Sequence, residues 1–452
     1  GATMQKNAIE RFLGLFTEVK AGEGITALML ATNIFLILTA YYIIKPVREG
    51  LILAGAGAEV KSYLAAALVI VLIGTVKLFS YLASRFARKP LINIVTLFFV
   101  ACLAVFYFLG KIDLPYLDVI FFVWIGMFNV MIPAQFWGFA KDIYDPDAVM
   151  RLLVLGAFGS ILGSIAGADI AGLLVGPVGL FELMLVAGGV LAVSLLFTNA
   201  VDSRERASAT PTHDASTEEH KEPIGKEGAF RLVFQTKYLL MIALLIMLLN
   251  WVNTTGEFIL GRVVSQAADT ALAAGATGGL EKGEYIGKFY ADFFSIVNIG
   301  SVLIQLFLVS RILKYFGIGV AILILPLIAM FGYLVIAFVP ILGIVRWVKT
   351  AENATDYSLQ NTVRHVLFLP TSREQKYKAK QAIDSFFHRA GDVLSAAVVF
   401  VGLNWFAFGT TGFAIFNLAL VAIWLVLAVM IGRENKRWVE RSAPQKVQST
   451  DL

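Results

Sequence analysis

Cysteine is almost missing: Cys102 is the single one in 452 residues, which excludes a disulfide framework or a thiolate metal cluster. Histidine is scarce too, at four residues, and no metal site is expected. Charged residues make up 15% of the chain, against about 25% in soluble proteins. There is no G-x-x-x-x-G-K-[ST] phosphate loop, no H-E-x-x-H and no G-x-S-x-G, so P-loop nucleotide hydrolysis and the familiar hydrolase chemistries have no foothold. Neither an enzyme nor a resident cofactor is expected. What fills the chain instead is apolar: 58% hydrophobic residues, with 35 Phe, and a mean hydropathy of +0.78. That is more than soluble cores bury, and it excludes intrinsic disorder. The pI near 9.1 would suit a nucleic acid polymer, but the basic residues lie between apolar runs. The partner they imply is the lipid bilayer. The chain reads as an all-α polytopic membrane protein.

A bilayer-crossing helix takes about 20 mainly apolar residues. Twelve stretches qualify: 25–53, 62–84, 91–110, 117–140, 149–176, 178–199, 239–264, 289–310, 316–338, 340–366, 381–404 and 411–432. They are continuous, without the alternation of barrel strands. With the N-terminus cytoplasmic, turns after even-numbered spans carry Arg85, Arg88, Lys89, Lys141, Arg151, Arg311, Lys314, Arg364, Arg373, Lys376, Lys378 and Lys380. The opposite turns carry Lys61, Lys111, Lys282 and Lys288. Lysine and arginine collect on the cytoplasmic side, so both termini are expected inside.

Residues 1–3 read as an expression scar ahead of Met4. Residues 4–20 place Ile9, Phe12, Leu13, Phe16 and Val19 at helical spacing opposite Lys6, Glu10 and Arg11, the pattern of an interfacial helix lying on the membrane. The polar stretch 201–236, with SRERASATPTHDASTEEHKEP, has linker composition and splits the chain into six-helix bundles at 21–200 and 237–432, followed by a tail at 433–452. His213 and His220 fall in this linker as solvated residues. The halves echo each other, with charge late in spans 1 and 7. A six-plus-six duplication implies the transporter plan, with a site near the midplane at the repeat interface.

Ionisable groups inside spans cost about 2.5–3.5 kcal/mol each on insertion scales and need a reason to be there. Span 1 carries Lys45, Arg48 and Glu49 at i, i+3, i+4 around Pro46. Span 7 carries Asn250, Asn253, Thr254 and Glu257 on one face. Span 10 carries Arg346, Lys349, Glu352, Asn353, Asp356 and Gln360. Span 11 repeats every fourth residue through Lys380, Asp384, His388 and Asp392, with Arg389 adjacent. Gate salt bridges or interfacial placement remain open for Lys380, Asp384 and Arg346, and snorkelling for Lys77 and Asp169. Trp137 and Trp251 fit interfacial anchors better than base-stacking platforms. The combined pattern implies a wet, positively biased cavity suited to an anion.

Three stretches are more specific: TAYYIIKPVREGLIL, FWGFAKDIYDPDAVMRLLVLGAFGSILGSIAG and ATDYSLQNTVRHVLFLPTSREQKYKAKQAID. Together they resemble the bacterial branch of the ATP/ADP translocase family, and Ser84-Arg85-Phe86-Ala87-Arg88-Lys89 resembles a degraded major facilitator signature. The resemblance implies twelve helices in two bundles, alternating access and nucleotide exchange. It implies basic residues in spans 1 and 11, which fall on Arg48 (with Lys45 a turn earlier) and Lys380, and a span 7 acid near Glu257. The family's span 4 acid has no counterpart, since Asn129 and Gln135 are the only polar side chains in WIGMFNVMIPAQ. The expected substrate-binding set is Lys45, Arg48, Asn253, Glu257, Lys349, Glu352, Asp356 and Lys380. The expected gating or coupling set is Glu49, Asp384, His388, Arg389 and Asp392. A monomeric carrier of a nucleotide or related phosphorylated anion follows. A carrier for another organic anion, proton-coupled through Glu257 or Asp392, and a non-transporting receptor or assembly partner are the alternatives.

Overall fold

A computed structural model of the chain describes residues 5–15, 17–208, 226–372 and 374–442. Within it the backbone is helical almost throughout, because hydrocarbon offers peptide groups no partner and a helix satisfies them internally. A short α1 (Ala8–Leu13) precedes six long helices: α2 (Gly24–Ala54), α3 (Ala58–Arg85), α4 (Arg88–Lys111), α5 (Leu117–Ile143), α6 (Pro146–Val178) and α7 (Glu182–Ser208). After α8 (Lys226–Gln235) come α9 (Lys237–Ala273), α10 (Lys282–Phe307), α11 (Val309–Phe338), α12 (Leu342–Thr355) and α13 (Asn361–Leu367). The remainder is α14 (Lys380–Ala382), α15 (His388–Asn404) and α16 (Thr410–Ser442). Among the described residues, 11 helices are long and apolar enough to cross a membrane. The twelfth expected span is α12 and α13, joined by a widened π-helical turn at Asp356–Gln360. The π-helical turn divides it into helices of 14 and 7 residues, each too short to cross a membrane alone. Two more π-helical turns, Gln375–Ala379 and Ile383–Phe387, flank α14 and lead into α15.

The chain gathers into two compact units. The first holds the described residues of Gly1–Ala56, Leu68–Ser216 and Ala268–Asn298, and the second those of Gly57–Ala67, Thr217–Ala267 and Ile299–Leu452. In the first unit, α2 packs on α6 along Gly159, Gly163 and Gly167. A Cβ at these positions would lie 2.5, 2.4 and 2.4 Å from the carbonyl oxygens of Ala31, Phe35 and Thr39. Small residues every fourth position let two membrane helices approach to backbone contact, which explains the glycines of the span 5 motif. In the second unit, α15 meets α9 through Gly391, where a Cβ would lie 2.7 Å from the backbone nitrogen of Trp251. Asp392 there accepts hydrogen bonds from Thr254 (2.7 Å) and Asn250 (3.1 Å), and Thr255 pairs with Ser395 at 3.0 Å. Within α11, Gly317 adopts φ 75°, ψ 177°, a conformation only glycine takes readily, and it separates the polar Arg311–Lys314 end from the apolar span.

Three expectations change. The interfacial helix is shorter than 4–20 and spans only Ala8–Leu13, with Phe12 61% exposed. Glu10 is not on a solvated face: it is 2% exposed and accepts from the backbone N–H of Asn7 (2.8 Å), Gly22 (2.8 Å) and Gly24 (3.3 Å), tying α1 to the start of α2. The stretch 201–236 is structured at both ends. There α7 runs on to Ser208, with Asp202 bridging Arg206 (3.1 Å) and Lys89 (3.6 Å). At the other end α8 buries Ala229 and Val233 and sets Phe230 5.0 Å from Phe386. A ten-residue amphipathic helix is too short and too polar to stand out from linker composition. His213, His220, the expression scar and the end of the tail lie outside the described residues.

Candidate functional site

In the first unit the charged residues of α2 surround Pro46, which has no N–H to give to the Tyr42 carbonyl one turn back. Lys45 is half-buried, its ammonium 4.3 Å from the centre of the Phe294 ring, 5.0 Å from Tyr42 and 5.9 Å from Tyr41. Three ring faces share one cation, each a quadrupole contact worth about 0.5–2 kcal/mol. Arg48 gives Nε (3.2 Å) and Nη2 (2.6 Å) to the same Oε1 of Glu49, and its guanidinium lies 5.3 Å from the Phe122 ring. This is not the two-oxygen fork that a carboxylate can offer arginine. Nearby on α6, Asp169 accepts a hydrogen bond from Ser295 at 2.5 Å, while Lys77 on α3 is exposed.

In the second unit the span 10 stripe closes around Lys349, which is 0% exposed. Its ammonium lies 2.9 Å from Asn253 Oδ1, 3.3 Å from the Asn253 carbonyl, 3.4 Å from Glu352 Oε1 and 3.7 Å from Glu257 Oε1. Tyr333 donates to Glu352 Oε2 at 2.8 Å, and Asn353 donates to Glu257 Oε1 at 3.1 Å. Two carboxylates thus flank one buried ammonium, with a single short hydrogen bond to a neutral amide. Glu257, 27% exposed at its side chain, is the open edge of this cage. Gly256 makes the cage possible, since a Cβ there would lie 2.0 Å from the Tyr333 hydroxyl and 3.0 Å from Lys349 Nζ. Asp356 opens the π-helical turn just beyond, half-buried; such turns often mark functional sites.

The span 11 residues separate into two groups. Lys380 Nζ lies 2.8 Å from His365 Nδ1. An ammonium can only donate, so Nδ1 is the unprotonated ring nitrogen and the other nitrogen carries the hydrogen. Arg364 reaches Asp384 at 3.9 Å. His388 and Asp392 belong instead to the α9–α15 contact, where the His388 carbonyl accepts from Asn250 at 2.5 Å. Arg389 is half-buried beside them. The structure therefore brings Asn253, Glu257, Lys349 and Glu352 together, and Lys45 with Arg48 and Glu49. Lys380 lies with Asp384 and Arg364. Sequence reasoning did not find Tyr333, Gly256, Phe294, Phe122 or His365. No local pattern marks these, since each matters only through a distant helix. Among the described residues there is no group of three or more His, Cys, Asp or Glu suited to a metal ion.

No family model matches the chain. It is 24% identical over 360 residues to ADP,ATP carrier protein 1 of Chlamydia pneumoniae, covering 70% of this chain and 66% of that one. It is 22% identical over 368 residues to the protein of the same name from Chlamydia trachomatis, covering 70% and 64%. The matched region thus spans slightly less than two thirds of these relatives. The fold is similar to that of the nucleoside transporter NupG, with a TM-score of 0.62 at 14% identity over 90% of this chain and 98% of that one. The two chains share an all-helical fold of long membrane-length helices.

Proposed function

From a multi-pass membrane chain related to the ADP,ATP carriers and built on the major facilitator fold, we propose a secondary carrier that exchanges nucleotides or closely related phosphorylated anions by alternating access. Lys45 and Arg48 in the first unit, with Lys349 and Lys380 in the second, are the cations proposed to hold phosphate oxygens. Asn253 and Asp356 line the proposed site, and Glu257 and Glu352 hold Lys349 when substrate is absent.

The observation that carries this reading is the state of Lys349: a fully buried ammonium with one contact under 3.0 Å and two carboxylates at 3.4 and 3.7 Å. A buried cation needs a counter-charge, and loosely shared carboxylates supply one that a phosphate can displace. Phosphate groups bring more charge and more acceptor oxygens, so the ammonium exchanges partners without ever being left bare. Glu49 plays the same part for Arg48. Counterflow in proteoliposomes tests the reading. Internal ADP should accelerate uptake of labelled ATP well above the rate into unloaded vesicles. No acceleration by any nucleotide or phosphorylated solute would discard it.

A further inference from the structure

Inside the first unit, away from the charged residues, lies a second polar centre. Asn33 on α2 and Gln135 on α5 are 1% and 3% exposed, yet among the described residues Asn33 Oδ1 and Gln135 Oε1 have no protein hydrogen-bond partner. Their orientation is fixed by what they do bond. Gln135 Nε2 faces the Ile92 carbonyl (3.3 Å) and Thr96 Oγ1 (3.2 Å). A carbonyl can only accept, so the nitrogen must point there and the oxygen away. Asn33 Nδ2 donates to Thr198 Oγ1 at 2.8 Å, while Thr198 gives its own proton to the Ser194 carbonyl at 3.2 Å. Thr198 therefore accepts, and the Asn33 oxygen is turned the other way. Ser194 likewise spends its proton on the Leu191 carbonyl at 2.6 Å.

All five of these polar side chains line one cavity between α2, α4, α5 and α7, with about 20 Å³ of room for the centre of a water molecule. One water needs roughly 10–15 Å³ by that measure and two to four polar partners. A rim whose amide and Ser/Thr hydrogens are mostly committed elsewhere presents acceptors and calls for a donor. We propose that this cavity binds a single water molecule, which donates one hydrogen to Asn33 Oδ1 and the other to Gln135 Oε1. Its lone pairs face the Thr96 hydroxyl. A sodium ion is the other oxygen-seeking occupant, but the lining holds no carboxylate, and an uncompensated charge in such a place is far costlier than a neutral donor. The two unsatisfied acceptors match the two hydrogens of water.

The site has a structural consequence for α2. Asn33 lies on the same helix as Lys45 and Arg48, about three to four turns upstream. A water joining it to α5 would fix the rotation of α2 against its neighbours, and with it the direction in which the two cations project.

Radiolytic hydroxyl footprinting of the full chain in lipid nanodiscs tests this without any substrate, since buried rings are oxidised only where a bound water supplies the radical locally. Phe136 and Phe139 line the cavity and are 5% and 2% exposed, while Phe121 and Phe128, both 0% exposed, do not line it. Phe136 and Phe139 should be modified severalfold faster than Phe121 and Phe128. Incorporation of heavy oxygen should lag after mixing with labelled water. Gln135→Leu, which removes one acceptor and fills space, should bring Phe136 and Phe139 down to the reference rate in material that still elutes as a single species. Should that variant not fold, the wild-type comparison decides alone. Equal rates at all four rings would overturn the proposal. So would loss of the Phe136 signal together with thermal stabilisation when choline is replaced by sodium, because that result identifies a cation site.

Discussion

Arg48 and Lys349 are both held by carboxylates within their own unit, so their worth to a ligand is the difference between two sets of partners. A charge-assisted hydrogen bond contributes about 1.5–3 kcal/mol, and about 1.4 kcal/mol is a decade of affinity. Arg48→Ala should therefore weaken ADP binding at least about tenfold by calorimetry. Arg48→Lys should recover part of it, because an ammonium lacks the planar fork. Lys349→Ala should weaken binding similarly and also lower the melting temperature, since Glu352 would be left buried without its cation. Adding Glu352→Gln should restore much of the stability but not the affinity. Lys77→Ala, at an exposed position, should leave binding unchanged. Wild-type affinity in both Arg48→Ala and Lys349→Ala would end the anion-binding assignment. Gly256 gives a separate check on the cage. A methyl group 2.0 Å from the Tyr333 hydroxyl overpacks the core, which costs about 1–3 kcal/mol, so Gly256→Ala should melt several degrees lower. An unchanged melting curve would mean that Tyr333 does not sit over Glu352.

The contact between α2 and α6 rests on backbone approach, so it should be intolerant of volume. Gly163→Leu, at a position where even a Cβ would lie 2.4 Å from the Phe35 carbonyl, should abolish the monodisperse elution peak. The same change at Gly189, with open space around it, should be tolerated. At the other end of α2, the Glu10 carboxyl is held below its usual range, first by the Asn7 amide and further by those of Gly22 and Gly24, against opposing desolvation. A depressed pKa means that the tether is present above the ordinary carboxylate range and lost as pH falls through the lower folded value. A spin label at Leu15, 78% exposed, should gain mobility on acidification, and Glu10→Gln should be mobile at neutral pH already. Identical pH profiles for the two proteins would refute the tether. These elements also show what the sequence could and could not convey. The twelve spans were legible because hydrocarbon demands long, mainly apolar helices, and the polar residues within 340–366 leave that stretch apolar enough to stand out. The π-helical turns at Asp356–Gln360 and Ile383–Phe387 left no trace, since their residues are ordinary helix residues and the widening answers to packing. Glu10 was misplaced because a short helix was assumed to face water with all its charges. Asp392 was expected in the gating or coupling set from its helical spacing, while its hydrogen bonds from Asn250 and Thr254 reach it across helices and left no mark in the sequence.

For the molecule as a whole, the spans are placed in the bilayer by length and hydropathy, while the side each loop faces rests on the distribution of lysine and arginine. The α3–α4 turn carries Arg85, Arg88 and Lys89, and the turn between α9 and α10 carries no basic residue before Lys282. Excess positive charge close to span ends is retained on the cytoplasmic face, so these two turns should lie on opposite sides of the membrane. Ala87 and Ala276 sit in them and both are exposed, so a cysteine at either position should be open to reagent. The native Cys102 is half-buried within α4 and is removed first as Cys102→Ala to give a silent background. In intact cells, a membrane-impermeant maleimide should label Ala276→Cys and spare Ala87→Cys; after permeabilisation both should react. Five spans separate the two positions, α4 to α7 and α9, with the short α8 not crossing, and an odd number of crossings puts the two cysteines on opposite sides. Labelling of both cysteines in intact cells would mean an even number of crossings between residues 87 and 276, and the twelve-span topology with both termini inside would have to be abandoned.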